Sequence, residues 1–312
     1  MNSPVKLEEF VPTSSYTLII AVSYEARGIV SLERIASKFV INDVLLICFD
    51  VDNYLSDEDL ANWKQQKMEM VALLKKSSIN YRELNLSHKS LVEACTLIDI
   101  DNISMPVIVD ITTFPKNYIL FFARLFDFDN TLFLYTRGDF HRIPDKDEKY
   151  IGITQIIPID GFEGVIDIEK EDVVVLILGY EGNRAFSFLS DFSSNKIVAL
   201  IGTPNVSPDV DQQYITYAKH CNEFLLNNSV VQDYLIDSYD HFDFLKQFKK
   251  IIHEFESAYN ICLAPIGTKA ETLGLFLYWK ENPKVQILYP VPNKRINIAV
   301  GTGDTLVYSL HW

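Results

Sequence analysis

Short, unbroken apolar runs, each closed by a polar turn and followed by a helical pattern, constrain this chain more than any other feature. In the first half the runs are 17–22 (TLIIAV), 43–49 (DVLLICF), 81–86, 106–111 (PVIVDI) and 131–135 (TLFLY). In the second half they are 172–178 (DVVVLIL), 196–201 (KIVALI), 261–264 (ICLA) and 285–289 (VQILY). Runs this short, without alternation, read as strands buried on both faces. The segments between them carry helical spacing, most clearly 57–76, with Asp57, Glu58 and Asp59 at its start and Lys75-Lys76 at its end. That charge order suits the helix dipole. Strands alternating with helices predict a mainly parallel sheet with helices on both faces. No run approaches the roughly 20 residues a membrane helix needs.

The two halves answer one another. Tyr24-Glu25 after the first strand matches Tyr180-Glu181 after a later one, and Arg27 matches Arg184. DITTFPKNYILFFARL followed by TLFLYT matches APIGTKAETLGLFLYW followed by VQILYP, which pairs Lys116 with Lys269. These anchors keep their order and nearly their spacing. The expected fold is therefore α/β: two tandem Rossmann-like modules with mainly parallel sheets, related by internal duplication. The boundaries expected are 1–150 for the first module and 151–312 for the second, which closes on a C-terminal hairpin around Gly301-Thr302-Gly303.

In open parallel sheets the ligand crevice lies beyond the carboxyl ends of the strands. Four turns fall there: Tyr24-Glu25 with Arg27, Thr112-Thr113 with Lys116, Tyr180-Glu181 with Arg184, and Gly267-Thr268-Lys269. A helix N-terminus behind such a turn favours an anion. Gly267 allows close backbone approach, Thr268 offers a hydroxyl and Lys269 a charge. At Lys116 the residues Phe114-Pro115 stand where glycine would widen the turn. The plainer reading of each turn is a helix cap with a solvated lysine, or a Glu–Arg ion pair at a helix start. The four could line one composite cleft or two related ones.

Composition narrows the partners. The formal net charge of −14 argues against duplex nucleic acid, which needs a basic surface, but not against a small anion in a local basic pocket. The cysteines Cys48, Cys95, Cys221 and Cys262 form no C-x-x-C pair, and the six histidines lack metal-ligand spacing. A reduced, cytoplasmic protein with no metal, no cofactor, no membrane anchor and no signal peptide is expected. The G-x-x-x-x-G-K-[ST] and G-x-S-x-G spacings are absent, which argues against a Walker A site and a nucleophile elbow.

The unit of strand, Thr/Lys turn, helix, and strand ending in Tyr resembles the CARF domains of CRISPR-associated sensors. It is carried by VDITTFPKNYILFFARLFDFDNTLFLYT and APIGTKAETLGLFLYWKENPKVQILYP. Two such units in one chain are similar to SAVED domains. The resemblance implies a cyclic-oligonucleotide or other nucleotide-sensing subunit of a bacterial anti-phage or stress-response system, read by a separate effector or partner protein. It carries nucleotide contacts onto Thr112, Thr113, Lys116, Gly267, Thr268 and Lys269. Two other readings stay open: an enzyme cleaving a nucleotide or sugar-phosphate bond at the same turns, and a non-catalytic interaction scaffold.

Overall fold

The computed structural model describes residues 3–51, 55–127, 129–142, 152–192, 194, 196–294 and 297–311. The chain divides into two compact units. One comprises Met1–Arg142 with Ala299–Trp312, the other Ile143–Ile298.

In the first unit the elements run β1 (Val5–Lys6), β2 (Ser15–Ala21), α1 (Arg27–Lys38), β3 (Val40–Phe49), α2 (Asp57–Lys76) and β4 (Asn80–Leu86). Then come α3 (Val92–Leu97), β5 (Val107–Asp110), α4 (Lys116–Leu125), β6 (Leu132–Thr136) and β7 (Phe140–His141). In the second unit they run β8 (Ile153–Pro158), β9 (Glu171–Leu178), α5 (Gly182–Asp191), β10 (Lys196–Thr203), α6 (Pro208–Cys221) and α7 (Glu223–Leu226). They continue with β11 (Val231–Asp237), α8 (His241–Ile252), β12 (Tyr259–Pro265), α9 (Lys269–Glu281) and β13 (Gln286–Pro292). The tail adds β14 (Ala299–Val300) and β15 (Thr305–Tyr308).

The first sheet has the order β1-β15-β6-β5-β2-β3-β4, and β6 through β4 pair in parallel. The second has the order β11-β10-β9-β12-β13-β8, parallel except for the edge pair β13–β8. Counted along the chain, the parallel strands of each unit lie in the order 3-2-1-4-5, which is Rossmann-like. The central strands carry the apolar runs. Leu18, Ile19 and Ile20 of β2 and Val173, Val174, Val175 and Leu176 of β9 are fully shielded from solvent. Each such side chain contributes about 1.5–3 kcal/mol on burial, so these strands anchor their units.

One expectation needs correcting. The tail forms no hairpin and does not close the second unit. Its strand β15 pairs antiparallel with β6 and β1 in the first sheet, while β14 pairs with β7. Asn222 separates α6 from α7, and its amide donates to Gly179 O and Ala218 O, both at 2.8 Å. Strand β11 was not foreseen. The expected boundary at residue 150 lies outside the described residues.

Candidate functional site

Each sheet reverses its winding between strand one and strand four, and the crevice at that switch point is where a ligand would enter. In the first unit this is the gap between the carboxyl ends of β2 and β5. It is filled. Thr113 Oγ1 donates to Ala21 O across it at 2.8 Å. Phe114 lies edge-on to Phe49, at the end of β3, with centroids 6.0 Å apart. Thr112, Thr113 and Phe114 are all buried. Thr112 belongs to a buried hydroxyl network. Its Oγ1 accepts from Thr136 N at 2.9 Å, and Thr136 Oγ1 lies 2.8 Å from Thr305 Oγ1 and donates to Ser31 Oγ at 2.9 Å. The threonines expected to meet a ligand therefore hold β5, β6, α1 and the tail together. Lys116 opens α4 half-buried, behind Pro115, which offers no side-chain cap.

In the second unit the switch point lies between β9 and β12. Gly179, Gly202 and Gly267, one at the end of each of β9, β10 and β12, are partly exposed. A Cβ at Gly179 would come within 3.2 Å of Ile266 O, so backbone passes close to backbone there. Thr268 caps α9 in a capping box: its hydroxyl accepts from Glu271 N at 3.2 Å, and the Glu271 carboxylate accepts from Thr268 N. Thr268 Oγ1 also donates to Ser238 O at 2.8 Å. Lys269 follows as the first residue of the helix, at the position Lys116 holds in α4.

Glu271 changes the reading of this turn. Its carboxylate is buried and lies where Cβ atoms on Gly267 and Gly202 would stand, at 2.2 and 2.6 Å. The helix N-terminus is thus already met by an anion of the chain's own. A ligand phosphate is left to Lys269 rather than to the helix end. The spacing Thr268-x-x-Glu271 is a capping-box signature that sequence reasoning missed. The glycine trio was missed because its members lie far apart in sequence.

The two arginines are buried and committed to their own units. Arg27 Nη1 donates to Thr136 O at 3.0 Å and Nη2 bonds Glu25, while its Nε is buried without a hydrogen-bond partner. Burial opposes the Arg27 charge, but Glu25 and Tyr135 outweigh it and hold the guanidinium protonated. Arg184 Nε and Nη2 donate to Pro290 O at 2.8 and 2.6 Å, and Nη1 to Glu181 at 2.8 Å. The Arg184 guanidinium also lies over the Tyr289 ring at 5.2 Å. These are the ion pairs of the plainer reading, and phosphate-facing arginines are not what the geometry provides. Tyr24 and Glu25 are buried, whereas Tyr180 and Glu181 are partly exposed. Burial raises the Tyr180 phenol, and Tyr214, Cys221 and Glu271 push the same way, so it stays a neutral donor.

His141 was not singled out by the sequence. Burial, with the charges of Arg27 and Arg137, lowers it to about 4. Among the described residues no cluster of three or more His, Cys, Asp or Glu could hold a metal, and no helix is long and apolar enough to cross a membrane. The cysteines are free.

No protein-family model matches the chain, and no curated protein matches it in sequence. Among solved structures it is similar to a Type III CRISPR defence DNA nuclease activated by cyclic oligoadenylate. The TM-score is 0.57 at 8% identity, over 88% of this chain, which spans 65% of the nuclease's length. The cytoplasmic domain of a prokaryotic cation chloride cotransporter aligns over 90% of this chain and 96% of its own, with TM-score 0.29 and 8% identity. The first likeness shows the fold, a mixed α/β architecture with mostly parallel sheets.

Proposed function

We propose that this chain is a CARF-like nucleotide-sensing subunit, and that the crevice of the second unit receives an anionic nucleotide, with cyclic oligonucleotides as the first class to test. The observation that carries the reading is the difference between the two switch points, buried Thr113 and Phe114 at the first and partly exposed glycines at the second. Three partly exposed glycines end adjacent strands there, and Lys269 stands beside them at the start of α9. The Glu271 carboxylate covers Gly202 and Gly267, so Lys269 supplies the counter-charge that a phosphate would meet. The ligand class is suggested by the nuclease with a similar fold, whose activator is cyclic oligoadenylate. Descent by duplication is part of the proposal. Arg27 and Arg184 support it: each lies in the first turn of its unit's first helix, pairs with the Glu after strand one, and donates to a carbonyl of strand five.

The duplicated units are then unequal in use. The first crevice is filled by Thr113 and Phe114, and the second carries partly exposed glycines with Lys269 beside them. Ligand binding in the second unit is read by a partner protein in a defence or stress-response assembly. Titration calorimetry with cyclic oligoadenylates, their linear counterparts and mononucleotides tests the reading. Binding should weaken about tenfold or more in Lys269→Ala, the loss of one charge-assisted contact, and much less in Lys116→Ala. No heat with any nucleotide, or equal losses in both variants, would reject it.

A further inference from the structure

The connection between β8 and β9 holds three aliphatic side chains in water. Val165 is 66% exposed, Ile166 62% and Ile168 95%. Scattered surface aliphatics are ordinary; three within four residues on a tied-down loop are not. The loop is anchored at one end by Phe162, buried with its ring 4.3 Å from that of Trp279. Phe162 O accepts from Ile287 N at 2.9 Å, and Val165 N donates to Lys284 O at 2.8 Å. Gly164, at φ +70°, lies so close to Gln286 N that a Cβ would stand 2.6 Å from it. At the other end Asn260 clamps the chain. Its Oδ1 accepts from Asp167 N at 2.9 Å, and its Nδ2 donates to Asp167 O at 2.9 Å and to Asp172 Oδ1 at 3.0 Å. Lys170 Nζ adds a bond to Glu256 O at 2.9 Å.

Carboxylates predominate on the rim of this patch, where Lys284, whose carbonyl holds Val165, is an exposed cation. Asp160, Glu163, Asp167, Glu169 and Glu171 are exposed around it, and Lys170, the one cation between Asp160 and Asp172, is tied to Glu256 O. We propose that this loop is a docking site for a basic, amphipathic protein segment. Its apolar face would cover Val165, Ile166 and Ile168, and its lysines or arginines would meet the acidic rim. The charge selects that occupant. A second copy seated face to face would set the same carboxylates against themselves. An anionic lipid surface would be repelled. Because the loop is already ordered, docking carries little of the entropy cost of fixing it. Asn260 and Asp172 lie at the amino ends of β12 and β9, so the loop is at the opposite edge of this unit from the crevice. The inference stands apart from the nucleotide reading.

The test uses the full chain and a labelled amphipathic helical peptide of leucine and lysine, with its leucine–glutamate counterpart as control, followed by fluorescence anisotropy. The lysine peptide should bind and the glutamate peptide should not. Ile168→Ser, and separately Glu169→Lys with Glu171→Lys, should each weaken binding about tenfold, with circular dichroism unchanged. Only the charge-reversed pair should lose its salt dependence. Failure of the wild-type chain to bind, or equal binding by the variants, would overturn the proposal. So would self-association, or binding to lipid vesicles, that Ile168→Ser abolishes.

Discussion

Arg184 is 3% exposed, and Glu181 partners it with partial solvent access. Replacing Arg184 with alanine leaves a carboxylate and Pro290 O without their donors, and breaking a buried pair in this way costs about 3–5 kcal/mol. The low end applies because water still reaches Glu181. Urea unfolding should show that loss in Arg184→Ala, and Arg184→Met with Glu181→Leu should recover much of it. Recovery would mark the pair as structural, as the geometry implies. His141 gives a residue-scale prediction in pH. Its folded value near 4 lies below the ordinary 6.5. Above 6.5 neither the folded nor the unfolded state is protonated there, so nothing is lost. Between 6.5 and about 4 the unfolded state takes up the proton and the folded state resists, so stability falls with pH and levels off below. His141→Asn should flatten that part of the stability–pH curve. Equal slopes in both proteins would remove His141 from the account.

At the scale of elements, α9 depends on its cap. Thr268→Ala removes the acceptor for Glu271 N and a donor to Ser238 O, at a cost of about 1 kcal/mol or somewhat more. Thr268→Ser should restore most of it, read as the midpoint of thermal unfolding. Lys269→Ala leaves the Thr268–Glu271 cap in place, so comparing the two variants separates helix capping from ligand contact. How far such elements were legible follows from their burial. Helix α2 could be read to the residue from the charges at its two ends, and the structure adds its Ser56 cap. Strand β11 could not, because it is an edge strand reading VQDYLID with polar residues facing solvent. The switch-point turns were legible as positions, since strand ends and helix starts are marked in sequence. Their contents were not. Thr112 and Thr113 have the side chains of a ligand turn, and only packing shows that their hydroxyls are spent on Asp110, Thr136 and Ala21. Glu271 was passed over because a glutamate in a first helical turn is ordinarily solvated. Here two glycines from other strands leave the space that buries it.

At the scale of the whole molecule, the chain's last strand belongs to its first unit. β15 lies between β1 and β6, and Leu306, Val307, Tyr308 and Leu310 are buried. Thr305 ties the same strand to Thr136 and to Arg34, whose Nη1 donates to Thr305 Oγ1 at 3.1 Å. Deleting 299–312 would forfeit the burial of these apolar side chains, about 1.5–3 kcal/mol each, a total comparable to the 5–15 kcal/mol that holds a whole domain folded. It would also open the edge of β6 and take from the Thr136 hydroxyl one of its two partners, leaving Ser31. The truncated chain should therefore lose the first unit and keep the second, whose sheet takes no strand from the tail. Hydrogen exchange would read this directly. Slow amides should persist in β9, β10 and β12 and vanish from β2, β3 and β5. Their persistence in β2, β3 and β5 would show the tail to be dispensable, and their loss from both sets would show that the second unit needs the first in order to fold.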